Sequence, residues 1–387
     1  MNIEIHFDKS PKFQKFVPSI PLLENNSLTI SRYYFKSNPM KNFQIIIVIA
    51  LWSVSMMACS EKKDVPVPTT PSVIPPTAIP VIDPITPKPT VSFFNDSVMK
   101  KTNLVSLSFA DNQTLFAIGN TDSKSYLFKS IDLGKTWSEI NYGSTNAVMH
   151  SVNFKDAKVG ILSGKNVLGT TDGGATWRAI SRPMDAIQAN YPKNQEGIVL
   201  KQFYDAFHGR EYTELHYVNT SNLTPNNYET LFGYMSGVHF LKEKVGMLVG
   251  SYGLIYVINI KSDGTYDYID PIRPVSESLL SVFLVNDKKA FVGGKNSTFL
   301  KTIDGGGNWT VLKNGVTGSV LKLAFQHENL GYSIVENEGK TGLYRIEDSG
   351  TKWTKIETPD AAIFSDLRIN SLGKAVAVGM GGAVYLF

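Results

Sequence analysis

Residues 154–177 read FKDAKVGILSGKNVLGTTDGGATW, and the fold is decided here. The stretch opens on Phe154, places glycine six and ten residues later at Gly160 and Gly164, and closes on Asp172, Gly174 and Trp177. Its apolar residues come in short runs broken by turn residues, the pattern of hairpins rather than helix. Phe240-Leu-Lys-Glu-Lys-Val-Gly246-Met-Leu-Val-Gly250 repeats the opening, and weaker copies start at Phe109, Tyr191, Phe283, Phe325 and Ile369. These seven anchors step by about 43 residues, inside the range of propeller blades. Each unit reads as four strands, predicted in the second at about 151–154, 159–163, 167–171 and 176–180. A lone four-stranded blade cannot bury both its faces, so the prediction is an all-β, seven-bladed β-propeller over residues 91–387. The seventh unit ends at Leu386-Phe387 after three strands, and Val91-Ser-Phe-Phe94 is expected to supply the fourth and close the ring.

The segment ahead of the ring has a different character. Ile45 to Ala58 is an uncharged apolar run, too short for a membrane-spanning helix and of the length of a signal-peptide core. Met40-Lys41 precedes it as a start and a positive flank, and Ala58-Cys59 follows. Residues 1–39 then read as an extension upstream of the true initiator, and 40–58 as the signal. From 59 to 90 the chain is rich in proline and threonine, a stiff extended stalk. The arrangement resembles a bacterial lipoprotein signal, which implies lipidation at Cys59 and a membrane contact through that anchor alone, in the cell envelope at the outer membrane, facing the periplasm or the surface. An uncleaved anchor would leave the ring on the same side. Cys59 is the single cysteine, so neither an intrachain disulfide nor a cysteine metal site is available.

Between third and fourth strands the units carry Ser130-Ile-Asp132-Leu-Gly134-Lys-Thr136-Trp137, Thr170-Thr-Asp172-Gly-Gly174-Ala-Thr176-Trp177 and Thr302-Ile-Asp304-Gly-Gly306-Gly-Asn308-Trp309. Asp348-Ser-Gly350-Thr-Lys-Trp353 is a fourth copy without the hydroxyl residues. Aspartate can accept backbone N–H groups across a tight turn, glycine supplies positive φ, and tryptophan can fold back between blades. These aspartates are therefore expected to be structural rather than catalytic. The motif resembles the Asp-box, or bacterial neuraminidase repeat, and the longer unit resembles the repeat of photosystem II stability and assembly factors over about residues 104–387. That resemblance implies a seven-bladed binding or assembly platform, expected here as a monomer.

Charge and chemistry narrow the function. The chain carries a net +4, and without the leader 32 basic residues face 31 acidic ones, so no bulk charge favours nucleic acid. Asp-box propellers also include sialidases, but the arginines of the ring are Arg178, Arg182, Arg210, Arg273, Arg345 and Arg368, and the Phe-Arg-Ile-Pro motif is absent. A sialidase-like carbohydrate hydrolase is the alternative to a non-catalytic platform. Gly305-Gly306-Gly307 lacks the lysine and helix of a phosphate loop. The histidines show no metal spacing, so neither metal nor cofactor is expected. A site, if the ring has one, belongs in its central channel. Counting back from each anchor, the second residue is usually apolar and the first and third often polar, which points Asn153, Gln188, Asn190, His239, Lys322, Asp366 and Arg368 inward. Such a lining suits a protein segment or a polar ligand, or simply holds water. The third unit carries Lys201-Gln-Phe-Tyr-Asp-Ala-Phe-His-Gly-Arg-Glu-Tyr212 in place of a tidy hairpin, consistent with an insertion or with a diverged blade.

Overall fold

The computed structural model describes residues 98–143, 147–180, 185–358 and 362–387, with the backbone of 90–92. The leader, Cys59 and the stalk up to residue 89 lie outside the described residues. Seven antiparallel four-stranded sheets follow one another along the chain. Their first strands are Asn103–Phe109, Met149–Phe154, Ala186–Lys193, Met235–Leu241, Leu279–Leu284, Ser319–His327 and Phe364–Ile369. Each lies beside the first strand of the next blade, and the seventh lies beside the first, so these strands form the inner wall of a ring. In the last blade Val384–Leu386 is the third strand from the channel, and Thr90–Ser92 runs antiparallel to it with Val91 opposite Tyr385.

Seven apolar clusters hold the blades together, one per junction. The clusters form because a strand alternates its side chains, so each sheet presents an apolar face to both neighbours. The recurring aromatic–glycine pair has a direct cause. Phe240 is opposite Gly246 across the first hairpin, and a Cβ at Gly246 would lie 2.1 Å from the Phe240 ring. The ring lies flat over the bare backbone; Phe154 over Gly160 and Phe325 over Gly331 repeat the arrangement.

Two expectations change. The repeat pattern anchors blade 5 on Phe283, but the residue paired six positions ahead, with Ala290, is Leu284. Side chains alternate with period two, so this one-residue shift puts Leu284 in the core and Phe283 on the channel side, against the edge of the cluster between blades 5 and 6. The third unit is a complete blade whose hairpin, Glu196–Asp205 with Arg210–Asn219, pairs through ten consecutive residues. Its tip places Phe207 in solvent, 91% exposed.

Candidate functional site

The three full turn motifs share one hydrogen-bond scheme. In the first, Ser130 Oγ donates to Asp132 Oδ1 (2.8 Å) and accepts the Gly134 N–H (2.8 Å), while Asp132 accepts the Thr136 N–H (2.8 Å) and hydroxyl (2.6 Å). Thr170, Asp172, Gly174 and Thr176 repeat it, as do Thr302, Asp304, Gly306 and Asn308. Gly306 sits at φ 101°, where a side chain would be strained. Every carboxylate oxygen is held by its own turn. The Thr176 hydroxyl and N–H pull Asp172 down to about 2, and the Asn308 N–H and side-chain amide do the same for Asp304. Asp132 is lowered too, the Thr136 bonds outweighing its partial burial.

The fourth copy departs from this scheme. Asp348 itself takes positive φ, 49°, and its backbone carbonyl, not its carboxylate, holds Thr351. Without a hydroxyl at residue 346 there is nothing to anchor the carboxylate across the turn. The positive-φ glycine, Gly350 at 94°, and the tryptophan geometry survive: Trp353 Nε1 donates to Gly350 O at 3.0 Å, as Trp137 does to Gly134 and Trp309 to Gly306. Trp177 differs again, its indole N–H being buried without a partner. All four rings pack into the cluster shared with the preceding blade, Trp137 at the junction of blades 7 and 1 and Trp177 edge-on to Phe154.

The channel is where the remaining polar residues meet. A cavity of about 290 Å³ is lined by Asn153, Gln188, Asn190, His239, Lys322 and Arg368, six of the seven inward residues anticipated from periodicity. Asp366 does not line it; it is 1% exposed and lies behind the wall. The first strand of every blade is an edge strand whose N–H and C=O groups on one side have no partner within the sheet. Side chains from the preceding blade supply partners. Ser106 and Ser108 accept the Val152 and Phe154 N–H groups at 3.1 and 2.8 Å. Asn153 Nδ2 donates to Ala189 O at 3.1 Å and Asn190 Nδ2 to Val238 O at 3.4 Å. His239 Nδ1 accepts the Leu284 N–H at 3.1 Å, and Ser281 accepts that of Leu323 at 3.0 Å. At the junction of last blade and first, Asp366 accepts the Leu107 N–H at 2.8 Å while Arg368 Nε donates to Leu107 O at 3.0 Å.

A β-bulge makes this possible. In all seven blades the register between first and second strands slips by one residue just ahead of the position three before the anchor, for instance between Leu104 and Ser106 or Phe364 and Asp366. The bulge twists the strand, and from the position after it Ser106, Ser281 and Asp366 reach the next blade. No residue type marks it, so neither the bulge nor the inter-blade bonding follows from the sequence pattern. The cavity wall also includes Phe283, stacked on His239 at 4.5 Å, and Lys155 and Lys242 just beyond their anchors. The sequence signal for these lysines is their place one or two residues past an anchor, Lys155 after Phe154 and Lys242 after Phe240.

The charges at the cavity are unequal. Asp366 faces Lys322 at 3.9 Å and Arg368 at 3.4 Å. Burial pulls Lys322 below its ordinary value, with Asp366 working in the opposite direction. Burial and then the Arg368 charge pull His239 down to about 4. Since a backbone N–H can only donate, its bond to Nδ1 places the imidazole proton on Nε2. Among the described residues lining the cavity, none is aspartate or glutamate. No group of histidine, cysteine, aspartate or glutamate side chains among the described residues is arranged to hold a metal.

No protein-family profile matches the chain, and no curated protein matches it by sequence. Solved structures match by fold. YCF48 from Cyanidioschyzon merolae superposes with a TM-score of 0.59 at 14% identity, covering 78% of this chain and 98% of that one. A structure of YCF48 bound to D1 peptide gives 0.56 at 18% identity, covering 74% and 93%. The WD40 β-propeller domain of Doa1 gives 0.58 at 9% identity, covering 74% and 93%. At these identities the likeness is one of fold: a seven-bladed propeller of the YCF48 kind.

Proposed function

We propose that this chain is a non-catalytic binding or assembly platform, held in the cell envelope through a lipid on Cys59, that receives a segment of a protein partner at the mouth of its central channel. The observation that carries this reading is the cavity itself: an opening of about 290 Å³ at the ring centre whose described lining includes lysine and arginine side chains but neither aspartate nor glutamate. A sialidase-like hydrolase would gather several arginines and carboxylates at one site, whereas the described residues lining the cavity include Arg368 as their single arginine and neither aspartate nor glutamate. Asp366, beside the cavity cations, spends its oxygens on two backbone N–H groups and those two cations. YCF48, one of the neighbours in fold, is seen with D1 peptide, which supports a polypeptide as the class of partner here. Thr90–Ser92 is the strand that closes the ring in this reading, tying the start of the platform to its end.

The test is crosslinking in native membranes from a photoreactive residue at position 188, followed by identification of what is captured. Gln188 lines the cavity, and its side chain makes no hydrogen bond to the described residues, so replacing it leaves the ring intact. A discrete partner that disappears when the crosslinker is moved to the outer rim, at Lys352, supports the platform. Equal capture from both positions would sink it.

A further inference from the structure

We infer that the channel is a receptor for a carboxylate, with Lys322 and Arg368 as its two cationic contacts and the His239 Nε2–H and Gln188 amide as neutral donors beside them. The inference rests on the platform reading and names the chemical group that the channel takes.

The argument begins with a charge imbalance. Two cations, each about a third exposed toward the cavity, share one carboxylate that is 1% exposed behind the wall. Asp366 cannot turn to satisfy either cation more fully, because its oxygens are fixed by the Leu107 and Leu367 N–H groups at 2.8 and 2.9 Å. The cluster therefore carries one uncompensated positive charge in a confined space, where pairing is worth more than at an open surface. Farther along the cavity, Lys155 and Lys242 stand at the wall. Lys155 is already paired with Asp156 at 3.2 Å and bonded to the Asn194 carbonyl, so its charge is compensated and the excess from this part of the wall comes from Lys242.

The neutral donors fit the same ligand. With its proton on Nε2, His239 offers a donor and no free acceptor to the cavity, and stacking on Phe283 at 4.5 Å fixes the ring plane. Asn153 and Asn190 each spend one amide N–H on the wall, and Asn190 Oδ1 also accepts the Tyr191 N–H, so what they have left is neutral and secondary to the two cations. A cationic ligand would meet two like charges, and a neutral sugar would leave the excess charge unanswered. An anionic group reaching Lys322 and Arg368 answers it. The carboxylate could be the C-terminus of a polypeptide or a free small acid.

Calorimetric titration of the full chain separates these sources. The probes are N-acetyl-trialanine as free acid, the same peptide as its C-terminal amide, and sodium acetate. The free acid is expected to bind saturably and the amide to bind at least tenfold more weakly, the loss of one charged contact. Acetate binding as tightly as the peptide acid would assign the site to small acids, whereas acetate binding tenfold more weakly would assign it to a chain terminus. Lys322→Gln removes one cation without touching a backbone bond, so it is expected to weaken the acid about tenfold or more while the melting temperature holds. Equal affinity for acid and amide, no saturable binding of either acid, or unchanged affinity in Lys322→Gln would overturn the inference. If partner capture from position 188 persists in that last case, the platform stands and the carboxylate does not.

Discussion

Replacing Asp366 with alanine tests whether the channel residues are first of all clasps between blades. The carboxylate is buried at the junction of the last and first blades, where it accepts the Leu107 N–H at 2.8 Å and faces Lys322 and Arg368 at 3.9 and 3.4 Å. Its removal leaves two buried N–H groups unpaired, those of Leu107 and Leu367, at about 1–3 kcal/mol each. The two cations are a third open to water, and screening holds their combined loss to about 1 kcal/mol. The total is about 5 kcal/mol. With an unfolding entropy near 2.1 cal/mol/K per residue, a ring of roughly 290 residues then melts about 8 °C lower. Asp366→Asn keeps one acceptor oxygen and should lose about half of that. Ser106→Ala, at the next junction, removes an uncharged acceptor from the Val152 N–H and should cost about 1 kcal/mol, or about 2 °C. Differential scanning calorimetry of the three variants gives the ranking. A melting temperature for Asp366→Ala within 1 °C of the parent, or no lower than that of Ser106→Ala, would refute the clasp.

Four other outcomes follow from the same geometry. Gly246→Ala places a methyl 2.1 Å from the Phe240 ring and should destabilise by about 1–3 kcal/mol in urea titration, whereas an unperturbed midpoint would show that the ring can swing aside. Trp309→Phe breaks the indole bond to Gly306 O, while the Trp177 N–H has no partner to lose, so Trp177→Phe should be the milder change by about 1 kcal/mol. Asp172 and Asp304 have folded pKa values depressed to about 2 from an ordinary 3.8, so their contribution is complete above that ordinary value and lost as pH falls toward 2. The Asp172→Asn, Asp304→Asn double variant should accordingly melt below the parent at pH 6 and together with it near pH 2. Deletion of residues 90–98 should lower the melting temperature by several degrees if Thr90–Ser92 closes the last blade; an unchanged melt argues for closure by packing alone.

The ring was legible because its markers are local. A phenylalanine laid over a glycine across a hairpin needs both residues at a fixed offset, so the pair survives in sequence even where the strands between have diverged. The turn motifs were legible for the same reason, their bonds spanning at most four residues. Blade 5 misled because Phe283 and Leu284 are both apolar, and only pairing with Ala290 shows which of them faces the core. Alternation brings six of the seven anticipated channel residues to one cavity, yet their bonding partners lie 36 to 261 residues away and were invisible. Asp366 illustrates the limit: it lies two residues from Arg368 on one strand face, but the bonds it accepts from the Leu107 and Leu367 N–H groups hold its carboxylate behind the wall.

That limit changes how a polar channel is to be read. A ring of edge strands needs inward hydrogen-bonding side chains whatever the protein does, because each first strand would otherwise leave backbone groups unpaired beside the axis. Six of the seven junctions here meet the need with serine, asparagine, histidine, aspartate or arginine from the preceding blade. Those residue types are thus evidence of closure before they are evidence of a ligand. The functional signal is what is left after the bonds to the wall are subtracted: the Gln188 amide, the Lys322 ammonium, the Nε2–H of a neutral His239, and the end of the Arg368 guanidinium that Asp366 only partly occupies. Nearly all of these donate, two are charged, and their single counter-charge is pinned on the far side. A lining selected for closure alone would have no reason to leave that excess, and a charge-neutral one would have served the wall equally well.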